Sequence, residues 1–195
     1  MIYLPIFILG LVVFLGAHTF VTFRGERAAL IERFGLNVYR ALFALVSVVG
    51  LVLIVWGFKE YRDHAWIQVW KFPGFMKHVT VALMLPAVIF MVAAFIPSHI
   101  KAKVKHPMLA AVKTWALAHL LYNGELGEII LFGSFLAWGV YARIAAKRRG
   151  DIGITVAPAG WTNDAIVVAL SIVIYLALGF AFHPVVIGVP VFGRA

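Results

Sequence analysis

Residues 37–58 read NVYRALFALVSVVGLVLIVWGF, and from Ala41 to Phe58 no side chain is charged. A helix over these residues is about 33 Å long at 1.5 Å per residue, enough to cross about 30 Å of hydrocarbon. The apolar surface of such a segment must face lipid. Three further stretches repeat the pattern, at 2–23, 75–97 and 164–190. Two more fall between them. One runs over 107–123 and is interrupted by Lys113 and His119; the other runs over 126–146, from Leu126 through Phe132, Phe135, Trp138 and Tyr141. The expectation is an all-α, polytopic transmembrane helical bundle of about six spans, forming one domain over residues 1–195.

Composition points the same way. Of 195 residues 64% are hydrophobic and 13% charged, with a mean hydropathy of +1.00; an ordinary soluble domain carries roughly a quarter charged residues. The few charges gather in short clusters and cannot cover a soluble surface. The net charge of +9 does not indicate nucleic acid, because the bases flank apolar segments, where they set topology and meet lipid headgroups. The first charge is Arg24, so the basic opening of a secretory signal is missing, as is an A-x-A-like cleavage site, and residues 2–23 read as a retained helix. With no Cys, disulfides, thiolate ligands and lipidated cysteines are excluded.

Lys and Arg gather on the cytoplasmic side of bacterial membrane proteins. With the N-terminus outside, the inner segments hold Arg24, Arg27, Arg33, Lys101, Lys103, Lys105, Arg143, Lys147, Arg148 and Arg149. The outer segments hold Lys59, Arg62, Lys71, Lys77 and Arg194. Ten against five places both termini outside. Trp66 and Trp70 lie four apart in Arg62–Lys71, on one face of an expected interfacial helix. The Gly-rich stretch 150–163, with Pro158, reads as a cytoplasmic loop.

Ionisable residues inside spans are where function is sought first. His18 sits in Phe14-Leu15-Gly16-Ala17-His18-Thr19-Phe20, and His119 in Trp115-Ala116-Leu117-Ala118-His119-Leu120-Leu121. Each is either a neutral-imidazole ligand or a hydrogen-bonded core histidine, and the sequence leaves both open. His18 lies about 9 Å from Arg24 along its helix and His119 about 18 Å from Pro107, both counted from the inner boundary. Two imidazoles on opposite faces of a haem iron place their Cα atoms roughly 12 to 13 Å apart, so a bis-His haem is geometrically allowed. A closed site of Cys, His and carboxylate ligands is poorly supplied, with Glu125 and Glu128 the only carboxylates near the middle spans. Haem is the metal cofactor these residues best permit.

The other histidines read differently. His106, beside Lys101, Lys103 and Lys105, sits at headgroup level as a surface or anion-contacting residue; His64, His78 and His99 fall at span ends; His183, before Pro184, reads as core. Arg24, Arg27, Arg33 and Arg40 bracket the first hairpin, and their guanidinium forks suit haem propionates or lipid phosphates. No P-loop, G-x-S-x-G, H-E-x-x-H or G-x-G-x-x-G occurs, so hydrolases and nucleotide enzymes are unsupported. A proton-coupled carrier lacks its intramembrane acidic chain.

The runs Gly16-Ala17-His18-Thr19, Arg24-Gly25-Glu26-Arg27, Arg33-Phe34-Gly35 and Tyr39-Arg40 resemble the opening of the NnrU family. Lys105-His106-Pro107-Met108, Trp115 to Leu121, Asn123-Gly124 and Leu131-Phe132-Gly133-Ser134-Phe135 resemble its central block. The resemblance covers most of residues 1–150. It implies a multi-pass protein of the bacterial inner membrane associated with denitrification, through nitrite and nitric oxide reductase expression or function. The superfamily is also similar to the zeta-carotene isomerase of plants and cyanobacteria, which uses haem b to isomerise a cis double bond. Carried over by motif, that enzyme's haem ligands fall on His18 and on His119. The isomerase has a cysteine three residues before its second histidine, and this chain has Ala116.

The resulting expectation is a haem b protein with His18 and His119 as axial ligands and Arg24, Arg27, Arg40 and His106 near the cofactor. It would sense or handle nitric oxide or electrons in nitrogen-oxide metabolism. Two alternatives accompany it: a haem-dependent cis-trans isomerase of a hydrophobic, carotenoid-like polyene, and a haem-free assembly partner of respiratory complexes.

Overall fold

The computed structural model describes residues 3–192, and all its regular elements in that range are helical. They are α1 (Tyr3–Phe20), α2 (Arg24–Phe34), α3 (Leu36–His64), α4 (Met76–Ala93), α5 (His99–Val104), α6 (Pro107–Leu120), α7 (Leu126–Arg148) and α8 (Thr162–Ala177), which continues as a π-helix over Leu178–Ile187. Five segments are long and apolar enough to cross a membrane: α1, α3, α4, α7, and α8 together with its π continuation. About a fifth of the residues in each apolar stretch are buried. The rest, including Leu45, Val52 and Val55 of α3 and Val173 and Phe180 of the last span, is exposed apolar surface suited to lipid. The sixth expected span is shorter than its sequence interval. α6 has 14 residues, about 21 Å, because the chain turns at Leu121 and Tyr122, where Tyr122 N–H donates to His119 O at 3.1 Å.

The chain divides into two compact units, one holding residues up to Lys71 with Asn123–Ala146, the other Phe72–Tyr122 and the chain from Lys147. In the first unit α1 and α3 pack antiparallel on glycines. A Cβ added at Gly10 would stand 2.6 Å from Ile54 N, one at Gly50 2.8 Å from Phe14 N, and one at Gly57 2.6 Å from Phe7 N. Small residues let helix backbones approach where lipid supplies no hydrophobic drive between helices. Phe7, Leu11 and Ile54 are buried in this seam, and Ile130, Leu131 and Phe135 of α7 close over them.

Two expectations change in this unit. The basic hairpin after α1 is itself a helix, α2, with no buried side chain. The stretch after α3 is not an interfacial helix, so Trp66 and Trp70 share no helical face. α3 stops at His64, and Ala65 turns to extended backbone. Gly124 O then accepts Val69 N–H at 2.9 Å and Trp70 N–H at 3.2 Å, and Ile67 O accepts Leu126 N–H at 2.9 Å. Pairing with the turn before α7 satisfies these backbone groups and overrides the helical spacing of the tryptophans.

In the second unit α4 carries α6 on one side and α8 on the other. Adjacent α4 residues hold both: Thr80 Oγ1 donates to Ala118 O at 2.7 Å, and Tyr175 Oη donates to Val81 O at 3.0 Å. Val88, Val92 and Ala93 of α4 and Val167 of α8 form the buried core. The 150–163 stretch is irregular as expected and returns to the turn between α5 and α6, where Ile154 N–H donates to Lys105 O at 3.0 Å.

Candidate functional site

His18 belongs to the first unit and His119 to the second. On α1, His18 Nδ1 lies 2.7 Å from Phe14 O. A carbonyl can only accept, so Nδ1 is the donor and, in the neutral ring, Nε2 keeps the lone pair. The ring stacks on Phe14 at 4.3 Å and meets the rings of Phe43 at 5.2 Å and Trp138 at 5.8 Å edge-on.

A polar column continues from this aromatic box. Phe43 stacks with Tyr39 at 6.5 Å, and the Arg27 guanidinium covers the Tyr39 ring at 5.4 Å. Arg27 Nε, Tyr39 Oη, Trp138 Nε1 and Arg143 Nη1 are buried without a hydrogen-bond partner. Thr22 Oγ1, 3.2 Å from Tyr141 Oη, ties the end of α1 to the α7 turn that carries Arg143. The Arg27 guanidinium and the hydroxyl of Tyr39, whose ring it covers, are donors of the kind that suit an anionic oxygen, carboxylate or phosphate. Arg24 and Arg40 are exposed, so Arg27 is the one expected arginine that joins the column.

At the far end of the same unit sits an acid that sequence reasoning placed near the middle spans and gave no role. Glu125 is 0% exposed, and its Oε2 accepts Glu128 N–H at 3.1 Å, capping α7. Glu125 and the hydroxyl of Tyr61, itself 3% exposed, are buried and interact with each other. Gly127 makes room for the Tyr61 ring, since a Cβ there would stand 2.6 Å from Tyr61 Cε1.

In the second unit His119 Nδ1 donates to Trp115 O at 2.9 Å, the same arrangement as His18, with the Trp115 ring 5.6 Å away. Facing it is His183, which the sequence placed in the core. The two imidazoles are 6.4 Å apart between centroids and inclined by 18°. His183 Nδ1 donates to Leu178 O at 2.8 Å, five residues back, inside the π-helix. His106 is the N-cap of α6, and its Nε2 reaches Asp151 O at 3.3 Å, tying it to the loop before α8.

A second histidine of this unit is held by an aspartate. Asp164, in the first turn of α8, accepts His99 Nδ1–H at 2.8 Å, His99 N–H at 3.1 Å and Ile100 N–H at 2.9 Å, while Trp161 stacks on the His99 ring at 4.0 Å. This cluster caps α5 and joins it to α8. The signal was a lone Asp opening an otherwise apolar span.

No group of three or more His, Asp or Glu side chains placed to share a metal ion occurs among the described residues. A bare zinc ion requires three or four protein ligands. A metal carried in a tetrapyrrole needs only one or two axial ones, and paired imidazoles such as His119 and His183 fit that need.

No curated protein and no solved structure matches the chain. The family model described as NnrU protein matches residues 6–191, nearly the whole chain. The chain belongs to the NnrU family.

Proposed function

We propose that this membrane protein binds haem b, with His119 as an axial ligand, and acts in nitrogen-oxide metabolism in a bacterial inner membrane with both termini periplasmic. The observation that carries the reading is the fixed tautomer of His119. Donation of Nδ1 to the Trp115 carbonyl orients the ring and makes Nε2 the lone-pair nitrogen, the outer-shell bond that metal-ligating histidines use. Haem would supply an iron whose axial imidazole can give way to a small ligand such as nitric oxide. The chain's part is to orient the imidazole and to surround it with apolar helix.

The isomerase alternative gains nothing from the site. Ala116 is 0% exposed, so the position of the isomerase's cysteine is closed by packing and offers no exchangeable ligand. The test is the absorbance of protein purified in mild detergent after haem-replete expression, oxidised, reduced and with nitric oxide. A Soret band that is lost in His119→Ala and shifted by nitric oxide is expected. Folded protein without a Soret band overturns the haem assignment.

A further inference from the structure

We propose that His183 is the second axial ligand of this haem, trans to His119. The inference rests on the haem reading and assigns to His183 the place that the family resemblance gives to His18.

Distance makes the first argument. A metal–imidazole bond of about 2.0 Å and about 1.15 Å from nitrogen to ring centre put two trans imidazole centres about 6.3 Å apart. His119 and His183 stand at 6.4 Å. The two ring planes are inclined by 18°. Tautomer makes the second. His183 Nδ1 donates to Leu178 O, so both rings present Nε2 as the lone-pair nitrogen. His18 shares that tautomer, but its ring lies against three aromatic rings of its own unit.

The third argument is the cost of the local backbone. π-helix is rare and occurs mainly as single turns at functional sites, yet here it runs from Leu178 to Ile187 around Pro184. A π register re-aims the side chains that follow it, and in lipid every freed carbonyl needs a donor. His183 supplies one through Nδ1 and presents its ring to His119 by the same bond. Two imidazoles with no third ligand among the described residues suit a metal that brings its own equatorial nitrogens.

The experiment compares wild type, His183→Ala, His183→Met and His18→Ala in detergent by absorbance, electron paramagnetic resonance and haem-to-protein ratio, with circular dichroism as a folding check. Expected are a low-spin bis-imidazole signature in wild type and in His18→Ala, and its loss in His183→Ala with recovery on adding imidazole. His183→Met should show a His/Met spectrum with a raised midpoint potential. A bis-imidazole signature that persists in both His183 variants and disappears in His18→Ala overturns the inference and leaves the haem reading standing. Haem-free wild type overturns the haem reading itself, and copper or zinc lost with the same variants would overturn the tetrapyrrole.

Discussion

Replacing Gly57 by Ala adds one methyl group where α1 and α3 are closest. That carbon would stand 2.6 Å from Phe7 N and 2.8 Å from Phe7 Cα, and backbone cannot swing aside as a flexible side chain can. Reaching ordinary contact at about 3.5 Å needs a local separation of about 0.9 Å, which loosens the packing around Phe7, 0% exposed. Overpacking of this kind costs about 1–3 kcal/mol. The helix propensity of Ala over Gly returns about 1 kcal/mol, for a net loss of up to about 2 kcal/mol. At about 2–4 °C per kcal/mol for a chain of this size, thermal unfolding in detergent should come up to about 8 °C earlier. Gly50→Ala, 2.8 Å from Phe14 N, should behave alike. Gly16, also in α1, has nothing within 4 Å of its added Cβ, so Gly16→Ala feels the propensity alone and should unfold slightly later than wild type. Gly57→Ala unfolding at or above wild type, with Gly16→Ala below it, would refute the close-packed seam.

Asp164→Ala removes the acceptor of three bonds to His99 and Ile100 and should lower the melting temperature and speed proteolysis around residues 98–105; an unchanged digestion pattern would contradict the capping role. Glu125→Gln keeps an oxygen for Glu128 N–H and should leave thermal stability near wild type; Glu125→Ala loses the cap and should lower it by about 1 kcal/mol. The absence of cysteine allows single-thiol mapping of the proposed orientation. Trp66→Cys should label in intact cells with a membrane-impermeant maleimide, and Lys103→Cys only after permeabilisation; the reverse pattern would invert the topology.

Long apolar runs were legible because lipid imposes one rule on every residue in them. The interval 37–58 became the centre of α3, Leu36–His64, and helices also formed in the other long runs. The misses lie where local bonds decide. Backbone pairing to the turn before α7 drew Trp66–Trp70 into extended form, and nothing in their spacing records it. The α2 and α5 helices lack the length to register as apolar periods, and α5 depends on Asp164, about 60 residues away in sequence. At the site, residue type in an apolar setting was enough to single out His18 and His119. His183, inside the 164–190 run, reads as core from its apolar setting, and the π-helix that brings its ring opposite His119 leaves no compositional trace.

The three span histidines share one device. His18, His119 and His183 each donate Nδ1 to a carbonyl four or five residues back on their own helix. In water such a bond would be worth little, since solvent competes for both partners. In a lipid-facing helix it meets the hydrogen-bonding need of Nδ1 where no water is present to do so. A histidine kept only for packing is complete at that point, with its other nitrogen against apolar neighbours, as the rings around His18 allow. His119 and His183 go a step further, because each has the other at the spacing of two ligands on one metal. Packing alone supplies no reason for two apolar helices to spend a ten-residue π register on that approach. The proposed shared metal would supply one, and His183 is then the residue whose replacement separates a haem protein from a bundle with polar helices.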